Sequence, residues 1–151
     1  MIEIIDYEDR YHSDFRELNL EWLEKYELTE THDFEVLDNP NKYVLETGGC
    51  IFLAKEGDAI VGSAALVKMK ENIYELAKMS VAPAARGAGI GKTLLQHCIS
   101  TAKQLKATQI ILYSNSRLQA AIKMYEQFGF THITLIDSPF VTADVKMQLS
   151  L

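Results

Sequence analysis

The sequence predicts an α/β fold, α+β by strand order: a mixed sheet with helices on both faces. Three observations predict it. Residues 50–55 (CIFLAK), 59–68 (AIVGSAALVK) and 73–81 (IYELAKMSV) are rich in β-branched and apolar residues and are separated by the turns Glu56-Gly57-Asp58 and Lys70-Glu71-Asn72, so three antiparallel strands follow one another. Next, Leu94, Cys98, Ala102 and Leu105 form an apolar stripe at helical spacing, widened by Leu95 and Ile99. Strand 107–114 (ATQIILYS) follows it. Strand, glycine-rich turn, helix and strand from Ile73 to Ser114 make a right-handed crossover between parallel strands.

The remaining elements fall in order around this unit. Residues 2–6 (IEIID) read as a short strand, and Phe15, Leu18, Trp22 and Tyr26 mark a helix from about Asp9 to Glu27. The stretch from Leu28 to Gly49 holds short helical segments around an Asn39-Pro40-Asn41 turn, and Gly48-Gly49 punctuates the next strand. Gly62, inside the second strand of the hairpin, predicts a bulge or a close backbone approach. Ser116 and Gln119 have the S-x-x-Q form of a capping box. The helix they would open carries Ala121, Met124, Tyr125 and Phe128 on one side and ends at Gly129. Residues 130–135 (FTHITL) and 141–149 (VTADVKMQL) complete the chain as strands.

Composition narrows the function. The 151 residues fit one domain, 1–151, with no repeat or linker dividing them. A net charge of -6 without a basic run argues against nucleic acid as the main partner. No apolar run approaches a membrane span, and the acidic amino terminus is unlike a signal peptide. Cys50 and Cys98 lie in apolar surroundings without CxxC spacing, as reduced core residues of a cytoplasmic protein do. His12, His32, His97 and His132 are scattered, and no metal site is expected.

RGAGIGKT, residues 86–93, is the most informative segment. It follows a strand and opens a helix. Closely spaced glycines let backbone N–H groups turn toward a ligand, and the helix amino terminus favours negative charge, which suits a phosphate or pyrophosphate. A P-loop would need glycine where Arg86 stands, and the dinucleotide pattern would need one at Lys92. Both fail by one position. R-x-x-G-x-G fits, with Arg86, Gly89 and Gly91. In this setting the sequence resembles the GNAT acetyltransferase family, whose pyrophosphate-binding turn has that form. The later MYEQFGF resembles the family's closing helix-and-strand signature. The likeness runs from the Gly57-to-Gly62 hairpin to Phe130 and is strongest between residues 73 and 130.

The resemblance implies a sheet splayed between the strand ending at Val81 and the one ending at Ser114, with acetyl-coenzyme A in the gap. Met79, Ser80 and Val81 would offer backbone groups to the acetyl-pantetheine arm as if it were another strand. The stretch Gly87, Ala88, Gly89, Ile90, Gly91, Lys92 and Thr93 would hold the pyrophosphate, with Arg86 and Lys92 either adding charge or standing as solvated surface residues. Many relatives carry asparagine seven residues before the signature tyrosine; here that position is Leu118. Asn115, one turn earlier, either takes over a coenzyme contact or closes the turn.

Amine acetylation needs a neutral amine, an oxyanion stabiliser and a proton for the departing thiolate. Reading β alternation strictly, Ile73, Glu75, Ala77, Met79 and Val81 share one strand face, so one carboxylate interrupts an apolar row. Glu75 is the candidate base; the competing readings are a rim carboxylate and deprotonation through water. Tyr125 matches the tyrosine that family members direct toward the coenzyme sulfur as general acid, and the Met79 N–H would be the oxyanion donor. Glu21, Trp22 and Tyr26 are candidate acceptor contacts, although Trp22 reads more simply as a core anchor and Glu21 as solvated. The expected activity is transfer of acetyl from acetyl-coenzyme A to a primary amine of a small molecule or protein in a ternary complex, by a monomer or a homodimer. The alternative is a non-catalytic acyl-coenzyme A binding module; a nucleotide hydrolase is disfavoured by Arg86.

Overall fold

The computed structural model describes residues 1–136 and 138–151. Its strands are β1 (Ile2–Asp6), β2 (Cys50–Glu56), β3 (Ala59–Lys70), β4 (Ile73–Val81), β5 (Gln109–Ser114), β6 (Thr131–Ile133) and β7 (Val145–Ser150). They form one seven-stranded sheet in the order β1-β2-β3-β4-β5-β7-β6. Neighbours are antiparallel except β4 and β5, which run parallel because helix α3 (Ile90–Gln104) carries the chain back between them. Helices α1 (His12–Lys25) and α2 (Thr31–Asp38) cover one face, around Phe15, Leu37 and Leu53. Helices α3 and α4 (Gln119–Gln127) cover the other, around Leu66, Leu94 and Leu112. The mixed sheet with helices on both faces is the predicted fold.

β3 explains why the sheet can be covered twice. From Val61 to Leu66 it is buried throughout, so its sequence is a continuous run of small and apolar residues rather than an alternation. Ala64 and Leu66 pack toward α3, and Ala65 packs toward α1. α3 buries Ile90, Leu94, Leu95, Cys98, Ile99 and Ala102, each large aliphatic group contributing roughly 1.5–3 kcal/mol. Gly62 has the role its position predicted. The β2–β3 register slips beside it, and a Cβ there would lie 3.0 Å from Leu94 Cδ1 and 3.2 Å from the Ser80 carbonyl oxygen.

Several local expectations need correction. A 3-10 turn, Asp9–Tyr11, precedes α1, and the helix buries Phe15, Asn19, Leu20 and Leu23, leaving Leu18, Trp22 and Tyr26 half-buried. Leu105 is exposed at the end of α3. The Ser116–Gln119 capping box does not form, because Asp144 takes Ser116 instead: its carboxylate accepts from the Ser116 N–H at 2.8 Å and from Oγ at 2.7 Å. Gln119 turns back to the Ser116 carbonyl, and α4 starts without a side-chain cap. The last strand begins at Val145 rather than Val141, since Val141 and Thr142 bond to the Glu30 carboxylate.

Gly49 holds the entry to β2 against the π-helical turn Asn41–Leu45, where a Cβ would lie 2.3 Å from the Leu66 carbonyl oxygen and 2.9 Å from that of Val44. Both obstacles are main chain. Gly49→Ala is expected to lower the unfolding free energy by about 1–3 kcal/mol in urea titration; unchanged stability would show that this close approach is not a constraint.

Candidate functional site

The site begins where two strands part. β4 and β5 pair only from Ile73–Gln109 to Leu76–Leu112. Beyond that, β4 stays with β3 as far as Gly62–Val81, while Tyr113 and Ser114 of β5 stay with β7. The opening is a cavity of about 420 Å³. Its walls come from both faces of the sheet: Trp22 of α1, Tyr26 just after it and Asp33 of α2 on one side, Tyr125 of α4 on the other.

A bulge re-aims β4 along this gap. Ala77 pairs with Ala65 and Ser80 with Ser63, so Lys78 and Met79 together oppose one residue, and Lys78 takes φ +52. The strict alternation read from the sequence therefore breaks. Tyr74, Leu76, Met79 and Val81 all belong to the α3 side, whereas Ser80 Oγ donates to the Leu18 carbonyl in α1 at 3.1 Å and Lys78 pairs with Asp33 in α2. Glu75 does not share a face with Met79 and Val81, as the pattern predicted; it faces the α1–α2 side with Lys78.

The electrostatics of this side are unusual for an interior. Lys78 Nζ lies 2.5 Å from Asp33 Oδ1, with side-chain exposures of 5% and 3%. Asp33 Oδ2 accepts the Glu30 N–H at 2.9 Å, and the Phe140 ring centre is 5.4 Å from Nζ. Glu75 is buried in the cavity wall, and among the described residues nothing hydrogen-bonds its carboxylate. Burial raises its pKa from 4.5 to about 7, with the Lys78 charge partly opposing. Glu75 is thus inside the cavity rather than at its rim. The Asp33–Lys78 pair was missed in the sequence, although Lys78 interrupts the same apolar strand that drew attention to Glu75.

Tyr125 is 7% exposed, lines the cavity and packs its ring 5.8 Å from that of Phe130. Burial raises its pKa above the ordinary tyrosine value. Every fully enclosed polar side-chain atom among the described residues has a partner, whereas the Tyr125 hydroxyl has none among them, so the hydroxyl opens onto the cavity. Trp22 is half-buried, packing against the α1–α2 core while also lining the cavity, and its Nε1 donates to Asn19 Oδ1 at 3.4 Å.

Met79, Ser80, Val81, Arg86 and Asn115 also line the cavity; the residues from Gly87 to Thr93 lie beyond its wall. Gly87 and Gly89 take φ of +88 and +78, with no heavy atom within 4 Å of where a Cβ would stand, so the turn is an open cradle ahead of α3. Ile90 turns inward as the first buried residue of the helix, Lys92 and Thr93 are exposed, and Thr93 Oγ1 donates back to the Gly89 carbonyl at 3.0 Å. Arg86 donates from Nε to the Val81 carbonyl at 3.2 Å and pairs with Glu21 at 3.6 Å. Asn115 closes its turn: Nδ2 donates to the Thr142 carbonyl at 2.8 Å, and Oδ1 accepts the Arg117 N–H at 2.9 Å. Cys98 sits in the core with its thiol pushed up to about 12 by burial. Among the described residues no cluster of His, Cys, Asp and Glu could hold a metal, and no helix is long and apolar enough to cross a membrane.

The sequence model of the acetyltransferase (GNAT) family matches residues 11–130. The chain belongs to that family. It is similar in fold to an acetyltransferase of the GNAT family from Staphylococcus aureus, with 27% identity, a TM-score of 0.90 and 99% of each chain covered. It also shares the fold of the PaiA N-acetyltransferase from Thermoplasma acidophilum, solved in complex with coenzyme A, at 16% identity, a TM-score of 0.80 and coverage of 100% of this chain and 99% of that one. Among curated proteins it is 31% identical over 108 residues to the N-acetylaspartate synthetase of Xenopus tropicalis, covering 71% of this chain and 40% of that protein. The chain therefore spans well under two thirds of that relative's length.

A carboxyl whose pKa is higher folded than unfolded makes the native state bind more protons over the intervening pH range, so stability falls as pH rises through it. For Glu75 the window runs from about 4.5 to about 7. Glu75→Gln is expected to match the parent near pH 4 and exceed it near pH 8 by roughly 3 kcal/mol in chemical denaturation. Equal stability at the higher pH would mean that the carboxyl keeps ordinary acidity.

Proposed function

We propose that the protein is an N-acetyltransferase that moves an acetyl group from acetyl-coenzyme A to a primary amine by direct transfer in a ternary complex, residues 1–151 acting as one domain. The observation that carries this reading is the parting of β4 from β5 after Leu76 and Leu112. It leaves the β5-facing edge of β4 from Ala77 to Val81 without a partner strand, beside a cavity that joins the two faces of the sheet. An extended amide-bearing arm fits such an edge by strand addition, along Met79, Ser80 and Val81. The open turn from Gly87 to Gly91, followed by the first turn of α3 with Lys92 and Thr93, suits a diphosphate. Arg86 lies between the two, and Asn115 shapes the opposite wall. The solved relative with coenzyme A bound accords with this ligand.

The chemistry follows from the two cavity residues. A carboxyl with a pKa of about 7 takes a proton from an alkylammonium near neutral pH, so Glu75 releases the amine lone pair. The nitrogen attacks the thioester carbonyl carbon, and the Met79 N–H stabilises the oxyanion. The C–S bond then breaks, the sulfur takes a proton from Tyr125, and the surplus proton of the attacking nitrogen passes to the phenolate, which leaves a neutral amide and restores the phenol. Burial keeps the Tyr125 phenol protonated at neutral pH, so its proton is in place when the thiolate departs.

An amine panel assayed by release of free thiol tests the proposal. If no amine releases thiol while acetyl-coenzyme A still raises the melting temperature, the protein is a non-catalytic acyl-coenzyme A binding module. Tyr125→Phe is expected to lower kcat by about 10²–10⁴-fold with coenzyme affinity nearly intact; unchanged kcat would remove Tyr125 from the mechanism. Glu75→Gln is expected to erase the acid limb of the pH–rate profile near pH 7. A limb that persists would make water the base.

A further inference from the structure

Lys78 is the cavity residue that the proton inventory above leaves unused. It combines three unfavourable features: a charge with 5% of its side chain exposed, a left-handed backbone in a non-glycine residue, and a bulge that breaks the β3–β4 ladder. An apolar side chain would fill the same space without the desolvation. Strain and buried charge that persist together point to a use for the charge.

The surroundings define that use. Asp33 is spent, with Oδ1 on Lys78 and Oδ2 on the Glu30 N–H, so it fixes the ammonium in place. Asp33 takes one of three N–H donors and the Phe140 ring flanks Nζ at 5.4 Å, leaving donor capacity on a residue that lines the cavity. The other cations on the wall are tethered to other partners: Arg86 to Glu21 and the Val81 carbonyl, Arg117 to Asn115 Oδ1. Lys78 is therefore the cation on the side of Glu75, whose buried carboxylate has no hydrogen-bond partner among the described residues. The loop carrying Phe140 is strapped across this side, with the Val141 and Thr142 N–H groups on Glu30 at 2.8 and 2.9 Å.

We infer that Lys78 binds a carboxylate of the acceptor, so that the acceptor is a small free amino acid held with its amine at Glu75 and its carboxylate at Lys78. The inference rests on the acetyltransferase reading and names its substrate class. A polyamine would bring a second cation against Lys78 with no free carboxylate to receive it. The amino end of a peptide offers an uncharged amide where the carboxylate belongs. The strapped loop and a cavity of about 420 Å³, which must also admit the acyl end of the donor, favour a small molecule.

The test compares kcat/KM for matched sets: each common L-amino acid, its amide and its decarboxylated amine, all assayed by thiol release. At least one amino acid is expected to exceed both analogues by about 10–100-fold, as a charge-assisted hydrogen bond implies. Lys78→Met is expected to collapse that ratio toward one by raising KM for the acid, and Lys78→Arg to retain part of it. Because the ratio compares substrates on one enzyme, a change in Glu75 acidity cancels from it. Lys78→Met leaves Asp33 unpaired, so the double variant Asp33→Asn, Lys78→Met repeats the comparison should the single variant fail to fold. Equal use of acid and amine by the parent, or a ratio unchanged in the variants, overturns the inference while leaving acetyl transfer standing. Absence of thiol release with every amine overturns both.

Discussion

The length of the β4–β5 ladder governs the rest of the molecule's chemistry. Pairing stops after four residues of each strand, although both continue. An unpaired strand edge inside a sheet leaves main-chain donors and acceptors facing a void, which is unfavourable unless something returns to pair with them. The extra residue at Lys78–Met79 turns β4 as it enters this stretch, while β7 holds Tyr113 and Ser114 on the other side. The parted strands open a passage from the α1–α2 side to the α3–α4 side. A two-substrate reaction needs such a passage, because donor and acceptor must approach one point from different directions.

The same bulge sorts the functional groups. Met79 and Val81 stay with the α3 core, next to the glycine turn, while Lys78 and Ser80 turn to α2 and α1. Glu75, the buried ion pair and the aromatic walls of Trp22 and Tyr26 lie on the α1–α2 side; Tyr125 reaches the gap from α4. Burial acts on both acids in the same sense, raising each pKa, yet the consequences differ. It brings Glu75 to about 7, where the carboxyl is partly protonated near neutral pH, and holds the Tyr125 phenol in its protonated form. One low-dielectric cavity thereby leaves the two groups in different protonation states near neutral pH, since they start from very different intrinsic values.

Much of this was legible in the sequence. The turns at Glu56-Gly57-Asp58 and Lys70-Glu71-Asn72, the α3 stripe and Gly129, which takes φ +98 at the end of α4, are local signals, and the structure follows them. Gly62 announced a close approach, and α3 makes it. Glu75 stood out as a carboxylate in an apolar strand. Failures came where a distant group competed with a local one. Asp144 captured Ser116 and undid the capping box, and Glu30 captured Val141 and Thr142 and shortened β7. Trp22 packs against the core as its helical spacing indicates, but periodicity reports which face turns inward, not whether a cavity also lies there.

By itself the sequence determined the order of elements, the phosphate-suited turn at residues 86–93 and the family resemblance, because each depends on neighbours within a few positions of the chain. Only the tertiary structure decided which face each residue of β4 would meet. One bulged residue reverses every following side chain in a strand, and no local pattern records it. The pairing of Lys78 with Asp33, 45 residues away, likewise exists only once α2 is laid against the sheet. Burial then gives that pair and Glu75 their electrostatic character, which a list of residues cannot carry.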